Sequence, residues 1–332
     1  MNKRYNIGVI GCGMIWRNKH SVALREELSG RATIIAVHDV DDQAAEEAGK
    51  TCGARVCDDW REIVDDPDVD IVVSCTPPHV RAEHAVAAAY AGKHLMLEKP
   101  LARETNDARA IEEAVRQNGV QCVVAFFRSV SAAAQQIVRD VRDNGPLGKV
   151  VQFYHHDYGP PYPWLPDFSH WMFDKSRSGG PLMDYSCHFI EFALALFDCP
   201  VTSVWSEGER FVHDLPGDDT GTMVIGFGER GQALFTKSWT APRRSKTTSS
   251  SGIVTTKGML EMVGQSFSGN IDGEEINVEG ENRRALSYEA LFDAIEGKPV
   301  SCPGVGDGRR ITELLCKAFE SQKTGTRLTV NI

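Results

Sequence analysis

Between Tyr5 and Ala125 short β-branched runs alternate with stretches of helical spacing, and few folds accept that alternation. Tyr5–Ile10, Thr33–His38, Ile71–Cys75, His94–Leu97 and Val120–Ala125 read as strands; Ile15–Leu28, Asp42–Thr51, Val80–Ala91 and Thr105–Asn118 read as helices. Repeated strand-helix-strand units imply a parallel sheet covered on both faces, joined by right-handed crossovers. The expected class is a doubly wound α/β Rossmann domain.

The first strand runs into Gly11-Cys12-Gly13, and a helical stretch follows at once. In that position glycines permit a tight turn and let backbone N–H groups reach a pyrophosphate, while the helix N-terminus supplies partial positive charge. A strand-helix turn with no ligand has the same appearance, so the glycines alone do not decide. Trp16 stands where the third small residue of the fingerprint is usual, which alters how closely the first helix can pack on the sheet. Asp39 closes the second strand, where a carboxylate accepts hydrogen bonds from adenosine ribose hydroxyls and repels a 2′-phosphate. No Arg or Lys follows in Val40-Asp41-Asp42, so NAD is favoured over NADP. Asp41 is the better fit to a helix cap.

Beyond a helix near Ala132–Arg142, ended by Asn144-Gly145-Pro146, the pattern changes to longer strands: Lys149–His156, Val201–Val212, Thr220–Phe227 and Gln232–Trp239. Turns with Gly228 and Gly231 make this half an α+β domain with a large, mostly antiparallel open sheet. Helices are expected at Leu182–Leu196, Tyr288–Glu296 and Arg310–Glu320, and a mobile loop at the Ser/Thr-rich Ser245–Ser251. The division expected is 1–126 for the Rossmann domain and 127–332 for substrate binding and oligomerisation.

A net charge of −10 over 332 residues leaves no dense basic stripe for a nucleic acid. Nine scattered cysteines without a C-x-x-C pair are cytoplasmic usage, most of them small core residues. Met1–Arg4 leads directly into an apolar strand, so neither a signal peptide nor a membrane span is expected.

Several segments carry a resemblance. Ser74-Cys75-Thr76-Pro77-Pro78-His79, then Ala91-Gly92-Lys93-His94 leading into Glu98-Lys99-Pro100-Leu101, resembles the glucose-fructose oxidoreductase / inositol dehydrogenase / MocA family. Gly11-Cys12-Gly13-Met14-Ile15 with Lys19-His20 is similar to that family's opening. Gly179-Gly180-Pro181-Leu182-Met183-Asp184 with His188 is similar to its second-domain motif, and Ser321–Gly325 with the final strand to its close. The resemblance spans nearly the whole chain.

It implies an NAD(P)-dependent dehydrogenase or reductase that interconverts a secondary alcohol and a ketone on a sugar, cyclitol or related polyol. It makes Lys99 the group on the reacting oxygen, His188 the general acid/base and Asp184 the residue that orients substrate or histidine. Glu98 would contact the nicotinamide ribose, with Cys75, Thr76, Pro77 and His79 along the cofactor channel. A homodimer or homotetramer through the C-terminal sheet follows from the same source. The chemistry of the residues agrees. Asp184 and His188, at i and i+4, project from one helix face. Lys99 lies at the carboxyl end of a strand, where open α/β sheets bind ligands, and a lysine partly removed from water loses proton affinity. Which of Lys99 and His188 carries the proton stays open.

His155, His156 and Asp157 look like a metal cluster, but adjacent strand residues face opposite ways, and hydride transfer needs no metal; none is expected. Asp157 or His155 is left as a substrate contact. Tyr158–Trp171, with Tyr162, Trp164, Phe168 and Trp171, reads equally as an aromatic loop over the site or as a segment anchored by its aromatics. Arg128 resembles the family's post-strand Arg, though Phe126-Phe127 replaces the usual polar pair. Two other functions remain: a non-catalytic NAD-binding sensor, and a redox-neutral glycoside hydrolase that uses held NAD.

Overall fold

The computed structural model describes residues 3–142, 145–162, 165 and 167–332. Asn144 and Trp164, named above, lie outside the described residues. The chain packs as two units: 1–126 with 283–309, and 127–282 with 310–332. Segment 283–309, read above with the second domain, therefore belongs to the first. Its apolar residues could not reveal in sequence which distant surface they cover.

In the first unit β1 (Tyr5–Ile10), β2 (Ala32–His38), β3 (Arg55–Val56), β4 (Ile71–Ser74), β5 (His94–Leu97) and β6 (Cys122–Val124) form one parallel sheet. The order is β3-β2-β1-β4-β5-β6. That reversal beside β1 creates the switch point at which such sheets bind ligands, at the carboxyl ends of the strands. α1 (Asp42–Cys52) begins where Asp41 accepts from Gln43 N at 3.0 Å and Ala44 N at 3.4 Å, so Asp41 is the cap. α2 (Arg61–Val64), α3 (Arg81–Tyr90) and α4 (Thr105–Asn118) complete the crossovers.

The first helical stretch departs from ordinary winding. Trp16–His20 and Ala23–Glu27 are two π-helical turns, with Ser21 N donating to Trp16 O. Trp16 is 1% exposed in the core formed by Tyr5, Ile7, Val9, Tyr288 and Phe292. A wider turn accompanies a bulky side chain at a position where a small one normally lets the helix lie close to the sheet. The core is closed by α8 (Leu286–Ile295), whose Phe292 ring stacks on Tyr5 at 4.8 Å.

The second unit opens with α5 (Ala132–Asp140), capped by Ser131, and then builds a nine-stranded sheet. Its strands are β7 (Val150–Tyr158), β8 (Ser203–Glu209), β9 (Thr220–Gly226), β10 (Gln232–Ser238), β11 (Thr248–Thr255), β12 (Gly258–Val263), β13 (Ser266–Ile271), β14 (Glu274–Val278) and β15 (Leu328–Thr329). The order is β14-β13-β12-β11-β7-β10-β9-β8-β15, with β7 and β10 parallel and the other pairs antiparallel. Ser245–Ser251, expected as a mobile loop, is half strand: β11 pairs along β7 from Thr248 onward. Hydroxyl-rich composition signals a loop only when no neighbouring strand edge claims its backbone.

Between the short α6 (Lys175–Ser178) and β8 lies α7 (Gly180–Phe197), buried along most of its length. It covers the sheet face that carries Phe153, His155 and Asp157 of β7 and Phe235 and Lys237 of β10. The opposite face presents Tyr154, His156 and Tyr158 in a stacked row, with rings 5.5 and 6.4 Å apart. α9 (Val305–Thr324) precedes β15. Among the described residues no helix is long and apolar enough to cross a membrane.

Candidate active site

β1 ends at Ile10, and Gly11 turns the chain with φ +96°. A Cβ at Gly11 would stand 2.9 Å from the Cys75 carbonyl carbon and 3.0 Å from Thr76 N, so glycine is required by both backbone angle and the exit of β4. Gly13 differs: a Cβ there meets nothing within 4 Å. The turn thus leaves open space before the helix N-terminus, as a pyrophosphate seat requires. Met14 and Ile15 begin that helix.

Asp39 follows β2, and its two oxygens are held by backbone: Oδ2 accepts from Cys12 N at 2.5 Å and Oδ1 from Asp41 N at 2.9 Å. The glycine turn and the carboxylate are therefore one structure, tied across β1 and β2. The Cys12 thiol is buried against His38 O, and burial, with the Asp39 charge second, pushes it up to about 12. Such a thiol packs and does not attack. These residues fit a dinucleotide with unmodified ribose: an acceptor at the end of β2, a glycine turn and an open helix end.

Thr76 and Pro77 leave β4, and Glu98-Lys99-Pro100 leaves β5. Arg81, at the start of α3, ties the two exits. Its buried guanidinium donates to the carbonyls of Thr76, Pro100 and Leu101. Sequence reading passed over Arg81. The signal was a cation on the core-facing side of a helix, five residues after Thr76, where a polar group must find acceptors. Ser74 Oγ and Thr76 Oγ1 add a 3.0 Å hydrogen bond, and His79 is half-buried in the same turn.

Glu98 is 6% exposed. Its Oε2 accepts from Lys99 N at 2.9 Å, and Oε1 lies 2.9 Å from His20 Nε2. Burial, the largest influence, pushes its pKa up, but the His20 hydrogen bond and charge, with Lys99 and Arg81, outweigh it and hold the carboxyl at about 2. The group stays anionic at any working pH.

In the second unit Asp184 and His188 lie one turn apart on α7, which enters through Gly179 and Gly180 at positive φ with Pro181 in its first turn. Tyr162 donates to Asp184 Oδ2. The His188 ring sits 4.1 Å from Phe127. His155 lies flat on Phe189 at 3.3 Å, with Nδ1 2.7 Å from Ser251 Oγ. Burial, then the nearby Arg128 and Lys237 charges, lowers the His155 pKa to about 2, so the ring is neutral. Arg128 covers the Phe127 and Phe189 rings at 4.7 and 4.4 Å and donates to Gly264 O at 2.6 Å.

Asp157, expected as a substrate contact, has Oδ1 on Lys237 in a buried ion pair. The parallel register of β7 and β10 sets the two residues opposite each other. Lys237 Nζ also lies 4.5 Å over the Tyr185 ring. Sequence reading missed Lys237. In Ala233-Leu234-Phe235-Thr236-Lys237 the inward positions are 233, 235 and 237, and a lysine with that parity needs a buried anion. The aromatic stretch turns out to be anchored: Tyr162 and Phe168 pack on Leu165, Phe173, Leu215 and Trp239. Among the described residues no group of three His, Cys, Asp or Glu could hold a metal ion.

The profile of the oxidoreductase family with NAD-binding Rossmann fold matches residues 5–126, and that of the GFO/IDH/MocA C-terminal domain residues 135–261. A levoglucosan dehydrogenase of Pseudarthrobacter phenanthrenivorans is 34% identical over 247 residues, covering 68% of this chain and 60% of that protein. A scyllo-inositol 2-dehydrogenase (NAD(+)) of Bacillus subtilis is 28% identical over 212 residues, covering 63% of this chain and 58% of that one. Each match thus spans less than two thirds of the relative's length. The solved levoglucosan dehydrogenase in complex with NADH and levoglucosan has the same fold, with TM-score 0.86, 24% identity and coverage of 99% of this chain and 100% of that chain.

Proposed function

The chain belongs to the Gfo/Idh/MocA oxidoreductase family, and from that premise we propose that it is an NAD-dependent dehydrogenase or reductase acting on a sugar, cyclitol or related polyol. The observation that carries the reading is the Asp39 carboxylate, held on the N–H of the glycine turn at the sheet's switch point. An acceptor fixed there takes ribose hydroxyls and rejects a 2′-phosphate, which supports NAD over NADP.

Bound nicotinamide supplies the hydride acceptor or donor. The remaining work falls to the protein. Gly11, Cys12, Gly13, Met14 and Ile15 seat the pyrophosphate through backbone N–H groups and the helix end. Cys75, Thr76, Pro77 and His79 line the cofactor, and Glu98 accepts from the nicotinamide ribose. Lys99 binds the reacting substrate oxygen, His188 exchanges its proton and Asp184, steadied by Tyr162, orients substrate or histidine. Asp157 offers Oδ2 to a substrate hydroxyl while Lys237 holds Oδ1. A sensor without catalysis has no need of Lys99, Asp184 and His188 together, and this favours the enzyme.

The test is NADH absorbance on a panel of polyols and keto-sugars, with NAD and NADP in parallel. Turnover of at least one of them with NAD, and less with NADP, is expected. No net NADH from any, with glycoside cleavage by protein carrying NAD, would replace the dehydrogenase by the hydrolase reading.

The nine cysteines are thiols rather than disulfides, which supports work in a reducing cytoplasm. The stacked Tyr154, His156 and Tyr158 on the open sheet face support pairing with a second copy there. Light scattering is expected to give a dimer or tetramer; a monomer at micromolar concentration rejects the pairing.

A further inference from the structure

The cofactor seat contains a hydrogen-bonded chain to which the proposed roles assign nothing beyond its last member. Tyr288 OH lies 2.6 Å from His20 Nδ1, His20 Nε2 lies 2.9 Å from Glu98 Oε1, and Lys99 N donates to Glu98 Oε2 at 2.9 Å. Tyr288, His20 and Glu98 are all buried, and they come from α8, the π-wound first helix and the exit of β5.

Chemistry fixes the direction of the bond to the carboxylate. A carboxylate only accepts, so Nε2 carries a hydrogen. Burial raises the Tyr288 pKa well above its ordinary value, so the phenol keeps its proton; it donates to Nδ1 of a neutral imidazole and accepts from Nδ1 of an imidazolium. In either state the ring is held in one orientation by a partner at each nitrogen, as a histidine that orients another group requires. The phenol end is buried in the core. Tyr288 is 2% exposed, packed edge-on to His20 at 5.7 Å and beside Phe292 at 6.3 Å. A chain sealed at one end in the core does not pass protons to solvent; it fixes a geometry.

We infer that His20 and Tyr288 are positioning residues that lock the Glu98 carboxylate, by one chain of hydrogen bonds, in the orientation that accepts from the nicotinamide ribose. This rests on the dehydrogenase reading for the ligand, and on the three distances for the device. The ionisable groups facing Glu98 are His20, Lys99 in its own loop, Arg81 at the start of α3, Cys75 after β4 and Tyr288. His20 is hydrogen-bonded through its side chain to the carboxylate. Without it, burial is opposed by fewer favourable contacts and the carboxyl pKa rises.

The test is the NADH dissociation constant, read by nicotinamide fluorescence from pH 5 to pH 8 on the full chain. Wild type is expected to be flat, because Glu98 is ionised throughout. In His20→Leu a raised Glu98 pKa protonates the carboxyl at the acid end, so binding is expected to weaken about tenfold from pH 8 to pH 5. His20→Gln can donate to Oε1 and accept from Tyr288, and is expected to restore the flat profile. Tyr288→Phe releases the ring at Nδ1 and is expected to weaken NADH several-fold at every pH. A merely structural role would lower the melting temperature and leave the profiles flat. If His20→Leu does not fold, Tyr288→Phe decides: unchanged NADH affinity overturns the inference. A flat His20→Leu profile, or a His20→Gln profile as steep as that of leucine, overturns it as well. Wild-type protein that binds no NADH overturns the dehydrogenase reading and this inference with it, whereas flat variants of a binding wild type overturn the inference alone.

Discussion

Alanine at Lys99 or at His188 is expected to lower turnover by about 10²–10⁴-fold, the usual worth of a positioned acid or base, and leave NADH binding largely intact. Neither substitution touches the glycine turn, Asp39 or the Arg81 ties that hold the cofactor segments. Steady-state rates on the best substrate of the panel, with NADH titrations of the same preparations, give both numbers. Turnover unchanged in both variants would remove the catalytic assignment. Loss in one alone would say which of the two carries the proton.

The largest stability effect is expected at Lys237→Met. Its ammonium and the Asp157 carboxylate have side chains only 7% and 2% exposed, so removal of one leaves the other charged and buried. Breaking such a pair costs about 3–5 kcal/mol. For a unit of this size that lowers the thermal transition by roughly 6–20 °C. The double variant Asp157→Leu/Lys237→Met removes both charges and is expected to recover most of the loss, since two well-packed apolar residues can replace a buried pair. A single variant within about 1 kcal/mol of wild type would show that water reaches the pair.

Periodicity made the first unit legible. Tyr5–Ile10, His94–Leu97 and Thr105–Asn118 fall where the apolar pattern sets them, because the two strands are short continuous buried runs and the helix buries one face at Ala108, Ile111, Ala114 and Val115. Arg55–Val56 escaped notice: a two-residue strand with both side chains exposed has no apolar pattern, and only pairing with β2 defines it. β11 through β14 were hidden for a related reason. The Ser, Thr and Gly content of β11 and β13 reads as turn, while their backbone groups are claimed by neighbouring strands.

At the site, residues with motif spacing were visible in sequence: Gly11, Asp39, Glu98, Lys99, Asp184 and His188. Those that act by long-range pairing were not. His20 was seen only as part of an opening motif, and its partners lie 78 and 268 residues away. Lys237 and Arg81 are single cations whose acceptors a linear pattern cannot supply.

The return of 283–309 into the first unit also sets an order of events during synthesis. Tyr5 waits for Phe292, and His20 for Tyr288, until about 165 residues beyond Phe126 have been made, a delay of roughly 8–33 s at the usual rates of translation. During that interval the nascent N-terminal sheet exposes the apolar flank that α8 later covers. A fragment cut at residue 126 would freeze the protein at this stage, so a nucleotide-binding piece made for separate study should carry 283–309 on a grafted linker.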